Sequence, residues 1–491
     1  MGAKTDILFI EPGSTRAKVY QKMGKSHAAI QPPFLSALAA GFIRNKGYNV
    51  GILDANAENL THEETARKIS EIDPKLINIV VYGQQAATCS PLMEGVGELC
   101  RQIKSLEPSR KIILTGWHPS AIPERTIKEE KCDFVCQGEG FHTLTGLLEG
   151  RNFESIPGLW WKEREDNSAI RHTARARNIE NLSEELKDVA WDLLPMDKYR
   201  TPDWQGGYND NARGNYAAIY TGFGCPFTCE FCSIHTLYGD RKVRHWNPEW
   251  VLNQIDTLVK QYGVKNLRVI DELFTLNPKH YLPILKGLIQ RDYRLNIWAF
   301  TRIDTTKQEH LEMFKKAGFN WLSVGIESGS IERRKEIRKG AFSQNKIKKV
   351  VRSMEDAGIM LCSNYMFGHE NDKLDDMQET FNLALDLLSC SSFFFSAMAD
   401  PGSDLYYKAI EKGWKLPDRW MGYAQQSYEC QPLSTKYVPA EDVLRFRDYA
   451  FNAYYTNPRL LNKIERTFGV EARKSIEEKT KIKLKRKLLG D

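Results

Sequence analysis

The chain has 491 residues, with 69 Lys and Arg against 63 Asp and Glu and a formal net charge of +6. A hydrophobic share of 42% and a charged share of 27% exclude a disordered or collagen-like polypeptide and leave room for two or three globular cores. Ten cysteines are too sparse for a disulfide scaffold, no apolar run is long enough to cross a bilayer, and Met1 to Ile10 lead straight into a strand rather than a secretory leader, so a cytoplasmic protein is expected.

Residues 1–150 form a first unit. Ile7 to Ile10, Val50 to Leu53, Ile77 to Val81, Ile112 to Leu114 and Phe134 to Cys136 read as strands. Pro33 to Asn45, His62 to Ile72 and Leu92 to Ile103 read as helices between them. Short, continuously apolar strands separated by helices predict a parallel sheet covered on both faces, with ligands beyond the carboxyl ends of its strands. The turns at those ends are Glu11 to Ser14, Asp54 to Asn56, Gly83 to Gln85, Thr115 to Pro119 and Gln137 to Gly140. Cys132 and Cys136 flank an apolar run and read as buried thiols.

Residues 151–213 read as a connector, with a small hairpin edge near Leu159 to Trp161 and a loop rich in Gly, Asn and Asp from Asp203 to Gly214. Residues 214–402 make a second unit. Its strands are Ala217 to Tyr220, Leu267 to Ile270, Asn296 to Phe300, Trp321 to Ile326, Met360 to Met366 and Phe393 to Met398. The intervening helical patterns predict an incomplete TIM-like (β/α)6 barrel with chemistry at the carboxyl ends of its strands. Residues 403–491 make a C-terminal cap and tail. The aromatic patch from Trp414 to Tyr428 reads as a packed cap, and the basic end from Lys481 to Lys487 as a solvated tail.

The sharpest chemical signal follows the first strand of the second unit: Cys225, Cys229 and Cys232, spaced C-x3-C-x2-C, with no fourth cysteine nearby. Structural zinc wants a fourth ligand close at hand; three thiolates on one loop suit an iron–sulfur cluster with one open iron. At the other strand ends stand Asp271, Glu272, Arg302 and Glu327, whose charges suit either a polar ligand or structural ion pairs.

The cysteine motif, with Phe231 before its last cysteine, resembles that of the radical S-adenosylmethionine (SAM) enzymes. The segments Gln31 to Leu35, Gly47 to Asp54, Gly116 to Pro119 and Gly138 to Thr143 resemble the cobalamin-binding domain of the B12-dependent branch. The expected fold is therefore α/β: a Rossmann-like cobalamin-binding domain, a partial radical SAM barrel and a small cap. The resemblance implies a [4Fe–4S] cluster on Cys225, Cys229 and Cys232, chelated at its open iron by SAM. Glu272 would receive the SAM amino group, Arg302 its carboxylate and Glu327 its ribose. On the cobalamin side it implies contacts from Gln84, Gln85, Gly116, His118, Gly138, Glu139, Gly140 and Thr143. The loop Glu11 to Arg16 lacks the histidine that many B12 domains place under cobalt, and His27 lies too far along to supply it. The reaction implied is C-methylation of an unactivated carbon through a 5′-deoxyadenosyl radical. The alternative is a non-methylating radical conversion, such as oxidative cyclisation or ring rearrangement. A low-potential electron donor such as flavodoxin or ferredoxin would be the partner, and a small molecule the substrate.

Overall fold

Alternate side chains of the first strand enter different cores, which is why a layer of helices forms on each face of the sheet. In the computed structural model, which describes residues 4–13, 15–25, 28–83, 85–163 and 169–491, Ile7 and Phe9 pack in one hydrophobic cluster, and Leu8 and Ile10 in another. The helix Phe34–Arg44 supplies Ala37, Leu38 and Ile43 to the first cluster. The helices His62–Ile72 and Met93–Leu106 supply Ala66, Ile69, Val96 and Leu99 to the second. Such burial on both faces is what continuous apolar strands require.

The strands are β1 (Ile7–Glu11), β2 (Val50–Asp54), β3 (Leu76–Val81), β4 (Lys111–Gly116) and β5 (Phe134–Cys136), joined in the parallel order β2-β1-β3-β4-β5. The sheet then continues with two antiparallel strands, β6 (Leu159–Lys162) and β7 (Ile170–His172). The hairpin expected in the connector thus belongs to the first sheet, which runs past residue 150.

In the second sheet β8 (Tyr216–Ile219) leads into a short ladder of β9 (Gly222–Phe223) with β10 (Arg244–His245). Then come β11 (Asn266–Val269), β12 (Asn296–Thr301), β13 (Phe319–Glu327), β14 (Met360–Phe367) and β15 (Ser391–Ser396). The order β15-β14-β13-β12-β11-β8 is parallel throughout and leaves β8 and β15 as unjoined edges. The helix Ala440–Tyr455 covers the β15 edge: Tyr455 Oη donates to the Ser392 carbonyl at 2.9 Å, and Arg447 Nε to the Phe394 carbonyl at 2.9 Å. Masking an edge in this way removes a template for unwanted pairing.

The amino end of the arc is plugged by the connector loop. Trp204 stands edge-on to Trp298 and Trp321, with centroids 5.2 and 4.9 Å apart. The basic end keeps its lysines exposed but is docked through one residue: Arg486 is 1% exposed, donates to Asp448 at 2.8 and 2.9 Å, and also bonds the carbonyls of Gln425 and Ser427. A guanidinium with a bidentate acid and two carbonyls loses little on burial, which a count of charges along the sequence does not reveal. Cys132, Cys136 and Cys430 are buried thiols. Among the described residues no helix is long and apolar enough to cross a membrane.

Candidate active site

The carboxyl ends of both sheets open on one cavity of about 1100 Å³. The first sheet lines it with Glu11, Tyr82, Gly83, Gln85 and Trp117; the second with the cysteine loop, Glu272, Arg302 and Glu327. The two halves meet through Phe34, whose ring lies 5.7 Å from that of Tyr220 and 6.4 Å from that of Trp246.

Entry into the cysteine loop is set by Gly224. Its φ is +96°, and a Cβ there would lie 2.1 Å from the Lys242 carbonyl oxygen, so a side chain is excluded. Cys225, Cys229 and Cys232 follow, all free, half-buried and lining the cavity. The loop is braced from three sides. Glu230 donates its N–H to the Ile337 carbonyl at 3.0 Å. His235 bridges the carbonyls of Phe227 and Asp240 at 2.8 and 3.0 Å. Arg302 lies over the Phe227 ring at 3.8 Å, and its Nη1 approaches the Cys229 sulfur at 3.5 Å. Burial pushes the Cys225 thiol up to about 11, so the thiolate form there calls for positive charge, which metal ions supply. Among the described residues no three His, Cys, Asp or Glu side chains gather around a single-ion site. Three soft donors spread along one wall suit a polynuclear cluster.

The rim residues divide by how far the protein already occupies them. Glu272 accepts from the Gly224 N–H at 3.2 Å and from the hydroxyls of Tyr220 and Tyr238 at 3.4 Å each. These bonds are long, and burial pushes its carboxyl up to about 8. Asp271 is taken up internally by Thr221, whose N–H donates to it at 2.6 Å and whose hydroxyl donates at 2.5 Å. Arg302 is shared among Asp304 at 2.8 Å, the Lys339 carbonyl and the cysteine loop. Glu327 ends β13 after a register shift, in the left-handed region at φ +64°, and pairs with buried Lys339 at 2.9 Å. A non-glycine residue in that conformation is strained and is characteristic of sites. Phe231 also lines the cavity.

On the other half, Gln85 lines the cavity and caps the turn Ala86–Thr88, while Gln84 lies outside the described residues. Gly116, His118, Gly138, Glu139, Gly140 and Thr143 are absent from the cavity wall. Gly116 has φ +118°, and a Cβ would meet the Val81 carbonyl oxygen at 2.2 Å; it lets β4 turn so that Trp117 faces the cavity. His118 points the other way, with Nδ1 3.0 Å from the Ser90 hydroxyl and its ring edge-on to Trp420. Glu139 pairs with Arg244 at 2.5 Å and accepts from the Ile179 N–H at 2.9 Å. Thr143 donates to the Pro157 carbonyl at 2.7 Å.

Sequence reasoning placed Glu11 and Trp117 in strand-end turns without giving either side chain a role, and missed Tyr82 as a cavity residue. Each sits at a strand end or one residue beyond it, and that position was the available signal. Tyr82 packs against Trp117 with the rings tilted by 32° and centroids 4.5 Å apart, and its hydroxyl meets that of Tyr220 across the two halves. Among the described residues, Glu11 Oε2 is buried without a hydrogen-bond partner.

Comparison with known proteins agrees with this geometry. Residues 25–148 match the B12 binding domain model and residues 219–384 the radical SAM superfamily model. An uncharacterized methyltransferase of Pyrococcus horikoshii is 28% identical over 437 residues, 88% of this chain and 89% of its own length. The anaerobic magnesium-protoporphyrin IX monomethyl ester cyclase of Rubrivivax gelatinosus is 26% identical over 419 residues, 83% of this chain and 70% of its own. Among solved structures, the radical SAM methyltransferase TsrM from Kitasatospora setae, with cobalamin and a [4Fe–4S] cluster bound, superposes with a TM-score of 0.71. It shares 15% identity, covering 97% of this chain and 99% of that one. The chain thus carries a B12-binding domain followed by a radical SAM domain.

Proposed function

We propose that this enzyme is a cobalamin-dependent radical SAM methyltransferase acting on an unactivated carbon of a small molecule. The observation that carries the reading is the single cavity onto which the cysteine loop and the strand ends of the B12-binding sheet both open. Chemistry that must bring two cofactors and a substrate to one atom needs such a shared chamber.

Cys225, Cys229 and Cys232 would hold a [4Fe–4S] cluster, leaving one iron for SAM. Glu272, lining the cavity and met by long hydrogen bonds, is the candidate acceptor for the SAM ammonium, and Glu327 for the ribose hydroxyls. Arg302 holds the cluster loop and sets a positive charge beside Cys229; a part in binding the SAM carboxylate would draw on that same guanidinium. Glu11, Tyr82, Gln85 and Trp117 would cradle cobalamin, and Glu11 Oε2, which has no partner among the described residues, fits a corrin amide donor. When bound, the cluster and SAM supply a hydrogen-abstracting 5′-deoxyadenosyl radical, and methylcobalamin supplies the methyl group. The buried Tyr82, Tyr220 and Trp117 side chains give the chamber an apolar aromatic wall, which suits a reactive radical. A low-potential flavodoxin or ferredoxin would deliver the electron.

The methyltransferase names of the Pyrococcus relative and of TsrM support the reading. The cyclase relative, at nearly equal identity over a similar span, favours a second one: radical chemistry in which cobalamin donates no methyl. Anaerobic turnover of the reconstituted enzyme with SAM, scored by mass spectrometry against substrate pools, separates the two. Methylation yields 5′-deoxyadenosine, S-adenosylhomocysteine and a product heavier by one CH2. Deoxyadenosine without S-adenosylhomocysteine, from enzyme that retains both cofactors, would sink methylation and leave the cyclase-like reading.

A further inference from the structure

The barrel strands present their inward side chains in rows two residues apart. The row nearest the cluster holds Glu272, Arg302 and Glu327. Below it Ile270, Phe300, Met366, Phe393 and Phe395 form an apolar patch in the same cavity, beside the polar Ser323 and Asn364. Phe393 is 37% exposed and stacks on Phe395 at 6.0 Å. A pair of large rings left open inside a chamber, rather than on the outer surface, marks a place for an apolar ligand. Trp204 closes the amino end.

The outer wall comes from the tail. β8 and β15 do not meet, and Ile482, Lys483, Leu484 and Lys485 line the cavity. The segment is fixed in place: Gln21 Nε2 donates to the Lys485 carbonyl at 3.0 Å and to the Gln426 carbonyl at 2.7 Å, and its Oε1 accepts from the Lys485 N–H at 3.1 Å. The buried Arg486–Asp448 pair anchors the next residue. Within this wall Leu484 is half-buried, whereas Lys483 and Lys485 are exposed. Their neighbours in the chamber differ: Lys479 is paired with Asp203 and Arg447 with Asp448. Among the described residues neither Lys483 nor Lys485 has an ion-pair partner. Two solvated ammonium groups in the chamber that holds this apolar patch attract an anion without having to be desolvated for it.

We propose that the chamber takes an amphipathic acid as substrate, its apolar body lying against Phe300, Phe393, Phe395 and Leu484 and its acid group at Lys483 and Lys485. The inference deepens the methyltransferase reading and rests on it for the reaction, though not for the binding. An apolar body is also the kind of substrate whose carbons need a radical to react.

The test is a binding measurement on anaerobically reconstituted holoenzyme carrying cluster and cobalamin. Displacement of an environment-sensitive fluorescent fatty acid is followed with hexadecanoate, octanoate and hexadecanol. Hexadecanoate is expected to compete at a concentration about tenfold below that of either other probe. The double variant K483Q/K485Q should erase the advantage of the acid over the alcohol, by about tenfold, with the cluster and cobalamin absorbance unchanged. Equal competition by acid and alcohol, no dependence on chain length, or an unaffected double variant would overturn the proposal. Because the readout needs no turnover, the two ideas fail separately. Loaded enzyme that ignores hexadecanoate defeats the substrate class; enzyme that binds it while the turnover assay gives no S-adenosylhomocysteine from any pool defeats methylation.

Discussion

Two neighbouring strand ends of the B12-binding sheet look alike in sequence and end differently. β4 runs into Gly116-Trp117 and β5 into Gly138-Glu139-Gly140, and all three glycines have positive φ. After Gly116 the chain sends Trp117 into the shared cavity. After β5 the corresponding space is filled by protein. β6 returns antiparallel, the Gln137 N–H donates to the Gly158 carbonyl at 2.8 Å, and Glu139 is locked between Arg244 and the Ile179 amide. The rule that ligands gather beyond the carboxyl ends of parallel strands therefore holds where the neighbouring strand is also parallel. Where the sheet reverses, the returning chain occupies the ligand's place, and the same glycine-rich turn becomes a joint between domains.

The contrast can be broken most severely on the cavity side. Replacing Cys225, Cys229 or Cys232 by Ala should abolish cluster absorbance and all formation of 5′-deoxyadenosine, with the fold retained by circular dichroism. A cluster that survives any one of these changes would remove that cysteine from the ligand set. On the joint side the effect should be on stability. Glu139→Ala strands a guanidinium whose side chain is 5% exposed, and the loss of one partner from a buried pair costs about 3–5 kcal/mol. Denaturant unfolding should show that loss. A Glu139→Ala enzyme as stable as the parent would mean that the pair is not a joint.

A third strand end sharpens the comparison. Asp54, closing β2, accepts from the Ala57 N–H and the Tyr199 hydroxyl at 2.9 Å each, and burial nevertheless pushes its carboxyl up to about 6. The folded state then keeps a proton that the unfolded chain releases from its ordinary value of 3.8 upward. Its stabilising effect is complete below about pH 4 and is lost as pH rises through 6. Relative to Asp54→Asn, the parent should lose about 3 kcal/mol across that window, because each tenfold difference in proton affinity is worth about 1.36 kcal/mol. Parallel pH–stability curves for the two proteins would place the carboxyl's pKa in the ordinary range.

Much of this was legible from residue order. The parallel strands of both units follow from apolar runs bounded by helical patterns, and the helix Pro248–Tyr262 is framed by Asn247 as cap and Gly263 at φ +64°. The cysteine triplet needed no structure to be singled out. Three features were hidden because each depends on contacts between residues distant along the chain. The β6–β7 hairpin joins a sheet whose last parallel strand lies more than twenty residues earlier. Arg486 is buried by Asp448 and by two carbonyls of the cap. Glu139 and Arg244 are 105 residues apart, so a strand-end acid that reads as a ligand contact is in fact met by a cation from the other domain.

The finest distinction lies within one tripeptide. Trp117 and His118 are adjacent after the same strand, and sequence reasoning favoured the histidine for its place before Pro119 at a strand end, in a segment that resembles the cobalamin-binding domain. A short helical turn, Trp117–Ala121, separates consecutive side chains by about 100°, so only one of them can face the cavity. The indole does so, holding the Ile234 carbonyl through Nε1 at 3.2 Å and packing against Tyr82. His118 is buried against Ser90 and Trp420, with its imidazole pushed down to about 3 by burial, and is neutral throughout the working range. Trp117→Phe keeps a ring on Tyr82 but removes the indole N–H and part of the wall, and should weaken cobalamin binding about tenfold in an absorbance titration. His118→Gln should lower stability and leave that titration unchanged. The opposite pattern would assign the cofactor contact to the histidine, and with it would require the turn to open when cobalamin binds.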